Sequence, residues 1–155
     1  MIEKLPFEEI KKITFSDRPV PIPTEFRVTF KVIQVIILIK GCGRSDKISL
    51  LQLHFLNWLL QNPSNIDESL KQIESDKTIG LPFTQLDPVV NSAIDYAIGS
   101  DLLSISTTGM LCLTNKAINL LLEIDKIDSL LSDEKGFVAK VGKTFSDKQI
   151  RQILK

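Results

Sequence analysis

A mainly α-helical fold with one small β-hairpin is what this sequence predicts, and three observations carry that expectation. The first is the run from residue 86 to 114, LDPVVNSAIDYAIGSDLLSISTTGMLCLT. Asp87 suits an N-cap and Pro88 the first helical position. Val89, Val90, Ala93, Ile94, Ala97 and Ile98 then recur at three- and four-residue spacing, an amphipathic helical stripe that Gly99 is placed to end. Leu102, Leu103 and Ile105 form a short apolar strand, Thr107-Thr108-Gly109 has turn chemistry, and Leu111, Cys112 and Leu113 return. Thr114 can cap the helix that begins Asn115-Lys116-Ala117. Helix, strand, turn, strand, helix is the layout of a winged helix-turn-helix. The second observation is a pair of long apolar stretches before this unit, and the third is a tail after it with helical spacing. Together they predict a winged helix-turn-helix-like domain with extra C-terminal helices.

Taken in order, residues 1–24 read as an N-terminal arm and strap, 25–131 as the winged-helix-like domain, and 132–155 as helices packed on it. In the arm, Leu5, Phe7, Ile10, Ile13 and Phe15 stand among charges, so it is expected to dock on its own domain or on another subunit. Arg18-Pro19-Val20-Pro21-Ile22-Pro23 cannot be helical, because three alternate prolines fix φ and push their predecessors toward extended geometry. Thr24 is expected to cap a helix from Glu25 to Lys40. Its second half is apolar nearly all round, so it belongs to the core or to a subunit interface. The β-branched residues there make strand a competitor, and length decides for helix.

Gly41-Cys42-Gly43-Arg44 ends that helix. It is not a phosphate loop, since the GxxxxGK[ST] spacing is absent and such loops precede a helix. Ser49 caps the next helix, which runs through Leu60 with Leu53, Phe55, Leu56, Trp58 and Leu59 on a broad apolar surface. His54, the only histidine, is expected to be structural, because a metal ligand there would lack partners. Ser64 or Asn65 begins a third helix to about Ser75, and Thr78 to Phe83 is read as a short extended piece. After the hairpin, one helix is expected from Asn115 to Leu131, then two short ones over 133–142 and 146–154, the last capped by Ser146.

Composition narrows the function. Lys+Arg and Asp+Glu are 19 each, so nothing pulls the whole chain toward nucleic acid or anionic membrane. Two cysteines imply neither a disulfide framework nor a four-ligand zinc site, which suits a reduced, cytoplasmic protein. No stretch reaches the roughly 20 apolar residues that span a bilayer, and no signal peptide is read at the N-terminus. With one histidine in an apolar setting, no catalytic triad can be assembled. No catalytic residue, cofactor or metal site is expected.

DNA binding is the usual work of a winged helix, yet the helix that would enter the major groove carries Asp87 and Asp95 and no Lys or Arg. The wing tip, Ser106-Thr107-Thr108-Gly109, is uncharged. Duplex readers need cations for phosphates and guanines. No direct, specific DNA binding is therefore expected. The C-terminal basic residues Lys135, Lys140, Lys143, Lys148, Arg151 and Lys155 are the one nucleic-acid candidate, and a solvated helical face is the plainer reading.

Arg18-Pro19-Val20-Pro21-Ile22-Pro23-Thr24-Glu25-Phe26-Arg27, Ser49-Leu50-Leu51-Gln52-Leu53-His54-Phe55-Leu56-Asn57-Trp58, then Leu86-Asp87-Pro88 and Leu113-Thr114 follow one another in that order. Together these stretches resemble the small middle component of bacterial three-component ABC-ATPase systems, nearest the Lamassu-type anti-phage defence systems. The resemblance implies a non-enzymatic adaptor joining an SMC-like ABC ATPase subunit to an effector subunit, often a nuclease, in anti-phage or plasmid defence. Candidate partner-binding residues are Arg18, Pro19, Pro21, Pro23, Phe26, Arg27, Arg44 and Trp58. The alternative is a winged-helix transcription regulator that binds DNA.

Overall fold

The computed structural model describes residues 23, 27–75, 83 and 86–154. The expected arm, the Thr24 cap and most of the strap and of the 78–83 segment lie outside them. Among the described residues the chain is mainly helical, with a small three-stranded antiparallel sheet. In order these are α1 (Val28–Cys42), β1 (Lys47–Ile48), α2 (Leu50–Gln61), α3 (Ser64–Ser75), α4 (Pro88–Gly99), β2 (Leu103–Ile105), β3 (Leu111–Leu113), α5 (Asn115–Asp125), α6 (Ser132–Val141) and α7 (Asp147–Ile153).

The core is built around α1. Val32, Val35, Ile36, Leu38 and Ile39 are buried, and α1 packs chiefly on α4 and α6, with α2 on a further side. An all-round apolar helix is thus covered by its own chain rather than left for another subunit. It starts later than Thr24 capping would give. Arg27 is its N-cap, at φ −82° and ψ 117°, and no side chain caps the first turn. It ends at Gly43, whose N–H donates to the carbonyl of Ile39 at 2.9 Å.

Side-chain caps set most other helix starts, because each satisfies an N–H that has no intrahelical partner. Ser49 accepts from the N–H of Gln52, Asp87 from Val89, Thr114 from Ala117 and Ser146 from Gln149. At the last of these, Gln149 reaches back to Ser146 and completes a capping box. Helix α4 ends at Gly99, as expected, and the chain then turns away two residues later. The left-handed residue is Asp101 (φ 58°), not Gly99. Leu102 N–H bonds the carbonyl of Ala97 and Asp101 N–H that of Ile98, the paired pattern of a Schellman motif.

The sheet order is β1-β3-β2. The β2–β3 hairpin closes through Ser106 to Met110, with Gly109 at φ 76°. Strand β1 is an addition to the sequence reading. It pairs Lys47 with Cys112 and Ile48 with Leu111. A two-residue turn precedes it: Arg44 and Lys47 exchange both backbone hydrogen bonds, and Ser45 and Asp46 both sit at positive φ. That is the tight turn whose twist matches paired strands.

The helix expected from Asn115 to Leu131 stops at Asp125. Lys135, arriving from α6, donates its ammonium to the carbonyls of Ile124 and Ile127 and so satisfies the exposed C-terminal end of α5. Helix α6 lies against α1, and α7 against α2 and α3. No helix among the described residues is long and apolar enough to cross a membrane.

Candidate functional site

Helix α4 combines a buried inner face, an exposed outer face and a polar anchorage at its start. Its inner face, Val90, Ala93, Ile94 and Ala97, is buried in the core. Its outer face presents Asn91, Ser92, Asp95 and Tyr96. Tyr96 is 53% exposed, large for an aromatic ring. No Lys or Arg stands anywhere on α4, and Asp95 projects a negative charge from the exposed face. The adjoining hairpin tip is held by a hydrogen bond between the Ser106 and Thr108 hydroxyls at 2.8 Å and carries no charge.

The start of α4 is anchored by a chain of polar side chains reaching across from α1 and α2. Lys31, only 2% exposed, donates Nζ–H to Oδ1 of Asn57 at 3.1 Å. Asn57 donates Nδ2–H to Oδ2 of Asp87 at 3.1 Å, and Gln61 reaches the same oxygen at 3.4 Å. The other carboxylate oxygen of Asp87 caps Val89 at 2.9 Å. His54, 1% exposed, accepts the N–H of Asp87 on Nδ1 at 3.1 Å and lies 3.0 Å from Oδ1 of Asn91 through Nε2. Those two contacts require the neutral tautomer with its proton on Nε2, because Nδ1 must accept and Asn91 Oδ1 cannot donate.

Sequence reading gave His54 a structural role, and this is its content: it ties α2 to the first turn of α4. Burial pushes its pKa below the ordinary 6.5, against the opposing influence of the Asn91 hydrogen bond and the Asp87 charge. A depressed histidine is neutral in the fold and protonates more readily in the unfolded chain. Its contribution is therefore complete above pH 6.5 and is lost as pH falls below that value. Urea-unfolding free energies are expected to decline on acidification through this range, and the decline to be shallower in His54→Asn. An unchanged pH slope in that variant would remove His54 as its source.

The residues expected to bind partners are not brought to one place. Arg18, Pro19, Pro21 and Phe26 lie outside the described residues, and Pro23 is exposed. Arg27 is exposed at the N-cap of α1. Arg44 is exposed on the turn before β1. Trp58 is half-buried in an aromatic cluster, its ring 5.8 Å from Phe55 and 5.8 Å from Phe83, with Phe145 against Phe55 on the far side. That contact gives Trp58 a packing role inside the chain. Tyr96 is not among those candidates; the signal for it in the sequence is a lone aromatic on the polar side of the α4 stripe.

The two cysteines are both free. Burial pushes the Cys42 thiol up to about 12, so it stays protonated and unreactive. Among the described residues no group of three His, Cys, Asp or Glu is placed to hold a metal ion. Comparison of the chain with protein-family models, with curated proteins and with solved structures finds no match.

Proposed function

We propose that this chain is a non-enzymatic adaptor subunit, a winged helix turned to protein contacts, that joins an SMC-like ABC ATPase to an effector in bacterial anti-phage or plasmid defence. The winged-helix reading rests on element order. One helix, a short strand, two or more helices, then a hairpin whose second strand lies between the first two in the sheet is the arrangement such domains use. The family reading rests on the resemblance of the Arg18–Arg27 and Ser49–Trp58 segments to the middle component of three-component ABC-ATPase systems.

The single observation that carries the choice of protein over DNA is the outer face of α4. A groove-reading helix needs cations for phosphate and guanine. This one offers Asp95 and Tyr96, and repulsion from a duplex follows from its sign. An exposed tyrosine on an otherwise polar helix face is the residue type of an interface anchor.

The test is co-expression with the products of the genes that flank this chain's own, an SMC-like ABC ATPase being expected among them, followed by gel filtration. A stable complex is expected to elute together, and Tyr96→Arg to weaken it at least tenfold while circular dichroism is unchanged. A tenfold loss corresponds to about 1.4 kcal/mol, within the range of one interface anchor. A chain that elutes alone beside both neighbouring gene products would overturn the adaptor reading. Sequence-specific retention on its own promoter duplex would favour the transcription regulator instead.

A further inference from the structure

We infer that the groove between the β1 turn, strand β3 and the start of α7 binds the phosphodiester backbone of nucleic acid without reading its sequence. The groove encloses about 600 Å³. Arg44 and Lys47 line it from the β1 turn and β1, Lys148 and Gln149 from α7, and Met110 from the hairpin. Three cations converge there against one carboxylate, Asp147. The fold brings them together from opposite ends of the chain, so the sequence alone shows only a neutral protein with a basic tail.

Several other surface lysines are held in ion pairs. Lys40 pairs with Asp46 at 3.0 Å, Lys140 with Asp67 at 2.8 Å and Lys126 with Glu123 at 2.6 Å. Arg44, Lys47 and Lys148 are exposed and form no ion pair or side-chain hydrogen bond among the described residues. The one acid nearby is engaged: Oδ1 of Asp147 accepts the hydroxyl proton of Ser49. Gln149 adds a neutral donor. Its Oε1 accepts from Ser146 N–H at 2.9 Å and Oγ–H at 2.6 Å, which leaves the amide NH₂ to point elsewhere.

Unpaired cations lining a cleft focus a positive field into it. The ligand that field selects is a flexible polyanion with regularly spaced charges. Arg gives a planar fork for phosphate oxygens and Lys a point charge, the usual pair for backbone contacts. Contacts to phosphate oxygens carry no base information, so the binding inferred here is sequence-independent. The inference does not rest on the adaptor reading, since the groove lies on β1, β3 and α7 and not on α4.

The experiment is fluorescence anisotropy of the full chain with labelled mixed-sequence DNA, single-stranded and duplex, over a salt series. Three phosphate contacts give a log–log salt slope of about −2.7 on duplex and about −2.1 on a single strand. Between about 50 and 200 mM salt the affinity is then expected to fall roughly 40-fold on duplex and roughly 20-fold on single strand. Lys47→Gln and Lys148→Gln are each expected to reduce the slope by about 1, while Lys126→Gln at the C-cap of α5 leaves it unchanged. Tighter binding of the single strand would place a lone backbone in the groove, and tighter binding of the duplex its outer ridge; either supports the inference. Three results would overturn it: no binding at low salt, a slope indifferent to Lys47 and Lys148, or displacement by polyglutamate as readily as by DNA. Loss of DNA binding with an intact ATPase complex would remove this inference and leave the adaptor reading standing.

Discussion

Gly43→Ala is expected to lower stability by about 3 kcal/mol, the upper part of the range for overpacking a tight site. A β-carbon at Gly43 would stand 2.4 Å from the carbonyl oxygen of Ile39 and 2.5 Å from that of Lys47. Both obstacles are backbone, and both are held. The Ile39 oxygen accepts the Gly43 N–H itself, and the Lys47 oxygen accepts from Arg44. Neither can rotate away as a side chain would. Relief requires opening the end of α1 or the turn into β1, and the edge pairing of β1 with β3 goes with it. At Gly41 the three atoms nearest an added carbon all belong to the Val138 side chain, the first at 2.0 Å, so the obstacle there is a side chain and not backbone. Gly99 is the control: nothing lies within 4 Å of its would-be β-carbon, and alanine there is expected to be neutral or stabilising by up to about 1 kcal/mol. Urea melts of Gly43→Ala and Gly99→Ala, followed by circular dichroism, check both. Equal stability of the two variants would contradict the crowding at Gly43. Because Gly43 precedes Arg44, the same variant is expected to misplace part of the basic groove's lining.

What the sequence disclosed, and what it hid, divides along the range of the interactions. Local signals were legible. Ser49, Asp87, Thr114 and Ser146 all cap the helices their positions suggested, because a cap needs only a side chain two or three residues from an N–H. The hairpin around Thr107 to Gly109 was legible for a similar reason. Features made by distant partners were not. Strand β1 is two residues long and follows Ser45-Asp46, a pair without the Asn-Gly chemistry that advertises a tight turn. The end of α5 depends on an ammonium from α6, and the lock on α4 depends on His54 from α2. Of the candidate surface residues, Arg44 was picked out, but its companions Lys47 and Lys148 become neighbours only once β1 and α7 are in place. The sign of α4, by contrast, was plain from residue types alone, and the fold leaves Asp95 exposed on it.

Ile36→Asp is expected to remove cooperative unfolding altogether. Ile36 is fully buried, within a cluster formed by neighbouring turns of α1 and the inner faces of α4 and α6. An aspartate there would place a carboxylate among apolar side chains with no cation to meet it. Leaving a buried charge unpaired costs on the order of 5 kcal/mol, and the lost isoleucine packing adds to it. A domain of this size has about 5–15 kcal/mol in total, so the native state does not survive. Tyr96→Arg is the opposite case. Its side chain is already in solvent, and surface changes of that kind stay within about 0.5 kcal/mol. The pair therefore separates two ways of losing the proposed complex with an SMC-like ATPase. Ile36→Asp should lose it together with the thermal transition, and Tyr96→Arg should lose it while the transition stays where it was. A folded Ile36→Asp protein that no longer binds would move the interface from α4 to α1, and would require that α1 be uncovered in the assembly.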